Sequence, residues 1–174
     1  MRETIRYGFI LAIICVVASG LLAGMNSLTK LRIIAQAQTE EETALREVMP
    51  FGEYFEPVKK GEDIIYYKVS NKDNKFIGVA FKASGKGYSS VIDTLVGLAR
   101  DGTITAIKIM NQNETPGLGA RVAESSFTGR FSDKNIQGLA NVQAITGATI
   151  SSKAVIEAVK KKAEEIKELG GNKE

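Results

Sequence analysis

Residues 91–110, VIDTLVGLARDGTITAIKIM, decide the fold. Val91–Arg100 and Thr103–Met110 are β-rich runs, and Asp101-Gly102 between them is a dipeptide favoured in tight hairpin turns. Working backwards, Ile64–Ser70 alternates and is rich in β-formers, and Asn71-Lys72-Asp73-Asn74 turns it into a second strand, Lys75–Lys82. Ser84–Tyr88 (SGKGY) then reads as a flexible glycine loop. Working forwards, Asn111–Ala120 is a loop, Arg121–Ser126 a short helix and Ser152–Leu169 a long final helix. Strands in the middle with helices at both ends predict an α+β domain whose sheet is mostly antiparallel.

Tyr7–Thr29 carries no charged residue, and Phe9–Leu22 is almost wholly apolar. That is enough to cross a hydrocarbon core of about 30 Å as one helix. The rival is a cleaved signal peptide, with Ala18-Ser19-Gly20 as a small-residue cleavage site. The uncharged run continues past that site, which favours an anchor. Leu31–Val48 continues as one or two helices, with Thr39-x-x-Glu42 as a capping box and Pro50 and Gly52 as the stop. Gly20 and Gly24 lie one turn apart, a spacing that lets a second helix approach closely. The organisation expected is a tail (1–6), a transmembrane helix (7–29), a helical connector (30–50), one domain (51–169) and a loose end (170–174).

Composition narrows the chemistry. The 174 residues carry a net charge of +3, no His and one cysteine, Cys15. So mild a charge, with no basic stripe interleaved with aromatics, sets nucleic acid aside. A Cys-rich zinc site, an iron–sulfur cluster held by this chain, a His-based triad and an internal disulfide are all excluded. No metal site and no catalytic side chain is expected. An organic cofactor or carboxylates must carry any chemistry.

Two loops have the composition for it. Residues 142–155, VQAITGATISSKAV, place hydroxyls and small residues at a helix entrance. Ser151 or Ser152 can cap that helix, whose N–H groups and dipole favour an anion. Gly147 and Ala148 leave the backbone uncovered, and Thr149 offers a hydroxyl. The same residues also serve simply to start a helix. In Glu114-Thr115-Pro116-Gly117-Leu118-Gly119-Ala120 the proline and glycines make a turn with Leu118 stranded inside it. Leu118 is then either a flat contact for a ring or a plug for the core. Tyr88 offers a stacking partner.

Together the loops carry a resemblance. Thr146-Gly147-Ala148-Thr149-x-Ser151-Ser152 resembles the flavinylation motif of the FMN-binding domain family, and ETPGLGA resembles the loop lying along the flavin there. With one membrane helix and this length, the chain is similar to the G subunits of Rnf complexes, which are ion-translocating ferredoxin:NAD+ oxidoreductases. A more distant likeness is to the C subunits of sodium-pumping NADH:quinone oxidoreductases. The resemblance implies FMN held covalently as a phosphoester of Thr149, attached by a flavin transferase. Thr146 and Ser151 would bond phosphate oxygens and Ser152 would cap the helix. Gly147 and Ala148 would admit the cofactor, while Thr115, Gly117, Leu118 and Tyr88 would contact the flavin. Gln143 stands six positions before Thr149, where that motif usually carries an acidic residue. This departure bears on the efficiency of modification, not on the binding fold.

The implied role is a membrane-anchored electron carrier in a complex coupling electron transfer between ferredoxin and NAD+ to Na+ or H+ transport. Such a protein has no independent activity. Its partners are the other members of the Rnf complex, among them a second flavinylated membrane protein. The charges flanking the apolar run are nearly level, so orientation comes from the resemblance: a single pass through the cytoplasmic membrane, with the FMN domain outside. No acidic residue lies within the apolar run, which argues against ion passage through this chain. The alternative is a flavin-free structural or regulatory membrane protein. A stand-alone flavin reductase lacks support, because no nicotinamide-binding fingerprint follows any strand.

Overall fold

The computed structural model describes residues 2–170. The apolar run lies in one helix, α1 (Arg2–Val48), in which Ile5–Lys30 is long and apolar enough to cross a membrane. Cys15 is exposed on it, and nothing lies within 4 Å of a Cβ built on Gly20 or Gly24. The helix continues through Thr39, so Thr39-x-x-Glu42 is mid-helix and not a capping box; only a helix start has N–H groups left to cap. Of the expected loose end, residues 171–174 lie outside the described residues.

The chain divides into two compact units, residues 1–42 and 43–174. The second is built on five strands: β1 (Tyr54–Lys60), β2 (Asp63–Ser70), β3 (Phe76–Lys86), β4 (Val91–Ala99) and β5 (Ile104–Asn111). They lie side by side in sequence order, each antiparallel to the next. The expected hairpin is β4–β5. Gly102 takes φ +84° in its turn, and the Asp101 carboxylate accepts the Thr103 N–H at 2.9 Å.

Strand alternation sorts the sheet into two faces. Val79, Phe81 and Ala83 point to one side with Val96 and Leu98, and the last helix (Thr149–Glu168) covers them. Val155, Val159, Ala163 and Ile166 form its buried stripe, at helical spacing. Each large side chain so buried contributes about 1.5–3 kcal/mol. Tyr67, Val69, Ala80 and Leu95 face the other side, packed with Ala44, Leu45 and Val48 from the end of α1 and with Met49 after it. Between β5 and the last helix run short 3₁₀ turns and α2 (Ser125–Thr128), which makes the last helix α3. Phe127 and Phe131 from this stretch plug the core edge-to-face, with ring centroids 5.4 Å apart.

Three elements differ from expectation. β1 is a strand that the sequence does not announce. It is an edge strand, half-buried only at Phe55 and Val58, so it shows no alternation, and its edge position tolerates Pro57. β3 extends through Lys86, so Ser84-Gly85-Lys86 is strand and not flexible loop. Gly85 is there because a Cβ would run into the Ala154 backbone of α3. The helix expected at Arg121–Ser126 is instead a 3₁₀ turn over Gly119–Ala123 followed by α2.

Candidate functional site

The loop after β5 closes as a four-residue turn, the Leu118 N–H donating to the Thr115 carbonyl at 3.1 Å. Pro116 and Gly117 form its centre, and Gly117 has φ +75°, the conformation the third turn position requires. The loop before α3 repeats the device. Ala148 N–H donates to the Ile145 carbonyl at 2.9 Å around Thr146 and Gly147, and Gly147 has φ +84°. A third turn joins β3 to β4, with Gly87 N–H donating to the Ser90 carbonyl at 2.8 Å.

These three turns meet around a cleft of about 390 Å³, within the size range of small-molecule sites. Its walls include Tyr88, Thr115, Leu118, Gly147, Ala148, Thr149 and Ser151, joined by Glu114, Gly119 and Ile150. Thr146 and Gly117 are not among the lining residues. Leu118 is 51 % exposed, which excludes the core-plug alternative. Tyr88 and Ile150 are more exposed still, so the cleft carries an apolar rim. A planar aromatic group would cover those side chains.

α3 brings polar groups to the same cleft. α3 begins at Thr149, with Ala148 as a cap residue that makes no side-chain cap bond. A first turn without a side-chain cap offers its N–H groups and the positive end of the dipole to an anion. The capping expected of Ser151 or Ser152 is therefore corrected: both lie inside the first turn and are buried. Ser152 Oγ accepts the Ile145 N–H at 3.0 Å, which fixes the preceding turn against the helix. Ser151 donates its hydroxyl to Glu114 at 2.6 Å. Thr149 is exposed at the helix start.

Glu114 is the residue that sequence reasoning passed over. It is buried, yet it accepts from the backbone N–H groups of Ser89 and Ser90 at 2.9 Å, from that of Tyr88 at 3.2 Å and from Ser151. Burial raises its pKa, but the bonds from Ser151 and from Ser90, Ser89 and Tyr88 outweigh that and hold the carboxyl below its usual range. The signal available in the sequence was weak: an acid preceding a Thr-Pro-Gly turn.

Residues 87–164, which contain all three turns, match the family model of the FMN-binding domain, and residues 1–48 match that of the RnfG N-terminal region. Over 173 residues the chain is 34% identical to the G subunit of the proton-translocating ferredoxin:NAD(+) oxidoreductase complex of Clostridium ljungdahlii. That match covers 94% of this chain and 91% of the relative. The chain belongs to the RnfG family. A second RnfG relative is the G subunit of the Na(+)-translocating ferredoxin:NAD(+) oxidoreductase complex of Acetobacterium woodii, 30% identical over 184 residues, covering 91% of this chain and 89% of that one. Among solved structures, the C subunit of the Na(+)-translocating NADH-quinone reductase from Parabacteroides distasonis has the same fold. Its TM-score is 0.62 at 17% identity, with 83% of this chain and 98% of that one covered. The α+β fold expected from the hairpin is thus shared by this RnfG chain and that NADH-quinone reductase component.

Proposed function

We propose that the chain is the flavin-bearing G subunit of an ion-translocating ferredoxin:NAD+ oxidoreductase, with FMN bound covalently through its phosphate to Thr149. The observation that carries the reading is that an uncapped helix start bearing an exposed threonine and a set of exposed apolar side chains line one cleft. The first suits a phosphate, the second an aromatic ring, and Gly117 and Gly147 at positive φ shape two of the turns around the cleft. Leu118 and Tyr88 would contact the ring, with Thr115 beside them. Gly147 and Ala148 would leave room at the phosphate, and Thr146 stands one turn away with its side chain exposed. Ser151 has its hydroxyl on Glu114, so its contribution to the phosphate would be its N–H. Bound FMN would supply reversible uptake and release of electrons.

A flavin transferase would break the pyrophosphate bond of a flavin dinucleotide, pass the FMN phosphoryl group to the Thr149 hydroxyl and release the nucleoside monophosphate, so that the chain gains FMN less one water. The domain would face the extracytoplasmic side on a single-pass anchor. The open faces at Gly20 and Gly24 would accept a neighbouring helix from the other membrane proteins of the complex, a second flavinylated one among them. Intact-mass measurement tests the reading: the purified chain should be heavier by FMN less one water, and Thr149→Ala should remove that increment. An unmodified chain isolated from its native complex would favour the flavin-free structural reading.

A further inference from the structure

One buried side chain collects bonds from two other parts of the chain, residues 88–90 and Ser151. Oε1 of Glu114 accepts the N–H groups of Ser89 and Ser90, and Oε2 accepts the Tyr88 N–H and the Ser151 hydroxyl. Glycines flank it closely: a Cβ on Gly87 would stand 2.6 Å from Oε1, and one on Gly119 the same distance from Oε2. Each position proposed to face the flavin lies near one of these contacts. Tyr88 is itself a donor, Thr115 follows Glu114, Leu118 precedes Gly119, and Thr149 stands two residues before Ser151.

We propose that Glu114 is the positioning residue of the flavin cleft: its carboxylate clamps the β3–β4 turn, the loop after β5 and the first turn of α3 into one cradle, and its negative charge lies at the cleft lining. The inference rests on the reading that the cleft holds FMN. The carboxylate form suits this role because all four of its main partners are donors. Glutamine has the same shape but turns an NH2 towards the Tyr88 N–H or towards those of Ser89 and Ser90. The Ser151 hydroxyl can reverse; a backbone N–H cannot. A fixed negative charge beside the site also opposes the arrival of electrons, which lowers the potential of a bound flavin.

The test uses the full-length chain in detergent, made flavin-free by Thr149→Ala, with and without Glu114→Gln. Hydrogen exchange should accelerate by about tenfold or more in the amides of 88–90 and in the bonded amides at the start of α3, from Ser152 onward, together, while β4 and β5 keep their protection. Unchanged exchange in either segment overturns the clamp. Titration with free FMN should show binding about tenfold weaker in the double variant, and affinity within about twofold of the parent overturns the positioning role. If the parent itself takes up no free FMN, intact mass decides the flavin reading: an unmodified native chain fails it and with it the positioning of a flavin, while the exchange data still judge the clamp. In the flavinylated chain, Glu114→Gln should move the midpoint potential to a more positive value, and an unchanged potential overturns the charge effect. Ser151→Ala guards against misfolding of the glutamine variant. It deletes one bond, keeps the charge and should loosen the α3 turn without moving the potential; a tight turn there overturns the clamp.

Discussion

The Ser151 hydroxyl donates to the Glu114 carboxylate across 2.6 Å, joining residues 37 apart in the chain. Gly119 lies against that bond, its Cβ position 2.6 Å from the carboxylate and 2.7 Å from the Ser151 oxygen. Gly119→Ala should therefore cost about 1–3 kcal/mol, the range for overpacking a tight site. Gly119 does not have a positive φ, so the loss comes from collision and not from backbone strain. Denaturant midpoints of the two chains in the same detergent check this; equal midpoints would mean that the loop shifts freely.

Leu118→Ala separates ring contact from core packing. Leu118 is half exposed, so stability should change by no more than about 0.5 kcal/mol. The flavin absorption envelope or its potential should shift with the bond to Thr149 intact. Spectra identical to the parent, with a clear loss of stability, would refute the contact.

Acid should weaken the domain through Glu114. Its folded pKa lies below the ordinary value of 4.5, so folding gains from its ionisation. That gain is complete above 4.5 and is lost as pH falls through the lowered folded value. Unfolding free energies measured from about pH 6 down to about pH 3 should show an acid limb that Glu114→Gln flattens. An identical limb in the variant would place the titration elsewhere.

Thr94→Val should stabilise the sheet. Thr94 is buried in β4 and its hydroxyl has no hydrogen-bond partner among the described residues. Replacing an unsatisfied hydroxyl with a methyl group of similar size should gain about 1 kcal/mol, read as a higher Tm. A lower Tm would imply a partner for that hydroxyl, such as an ordered water.

Legibility followed burial and range. The β4–β5 hairpin was readable because its turn dipeptide and its β-rich runs are local signals, and α3 because its apolar stripe is regular. β1 was not, since an exposed edge strand needs no alternation. Gly85 looked like flexibility, but its requirement comes from α3, distant in sequence. At the site, the Thr146–Thr149 and Thr115–Gly119 loops declared themselves through glycine, proline and hydroxyls. Glu114 did not: its importance lies in four donors that reach it through folding. Ser151 and Ser152 mislead for a related reason. A serine near a helix start resembles a cap, and only the tertiary fold shows what its hydroxyl meets.

The sheet is a simple meander, each strand pairing with its neighbour in sequence, whereas the wall bearing Thr149 comes from the closing stretch of the chain. A polypeptide emerging N-terminus first thus releases its anchor segment, then sheet, and last the helix that both completes the core and forms the third side of the cleft. Biogenesis is thereby ordered by topology. On the proposed reading, cofactor loading waits for α3, and a product truncated ahead of it lacks the proposed acceptor hydroxyl. If Thr149 carries the flavin as proposed, topology acts as a checkpoint: a chain without α3 brings no redox centre to the complex.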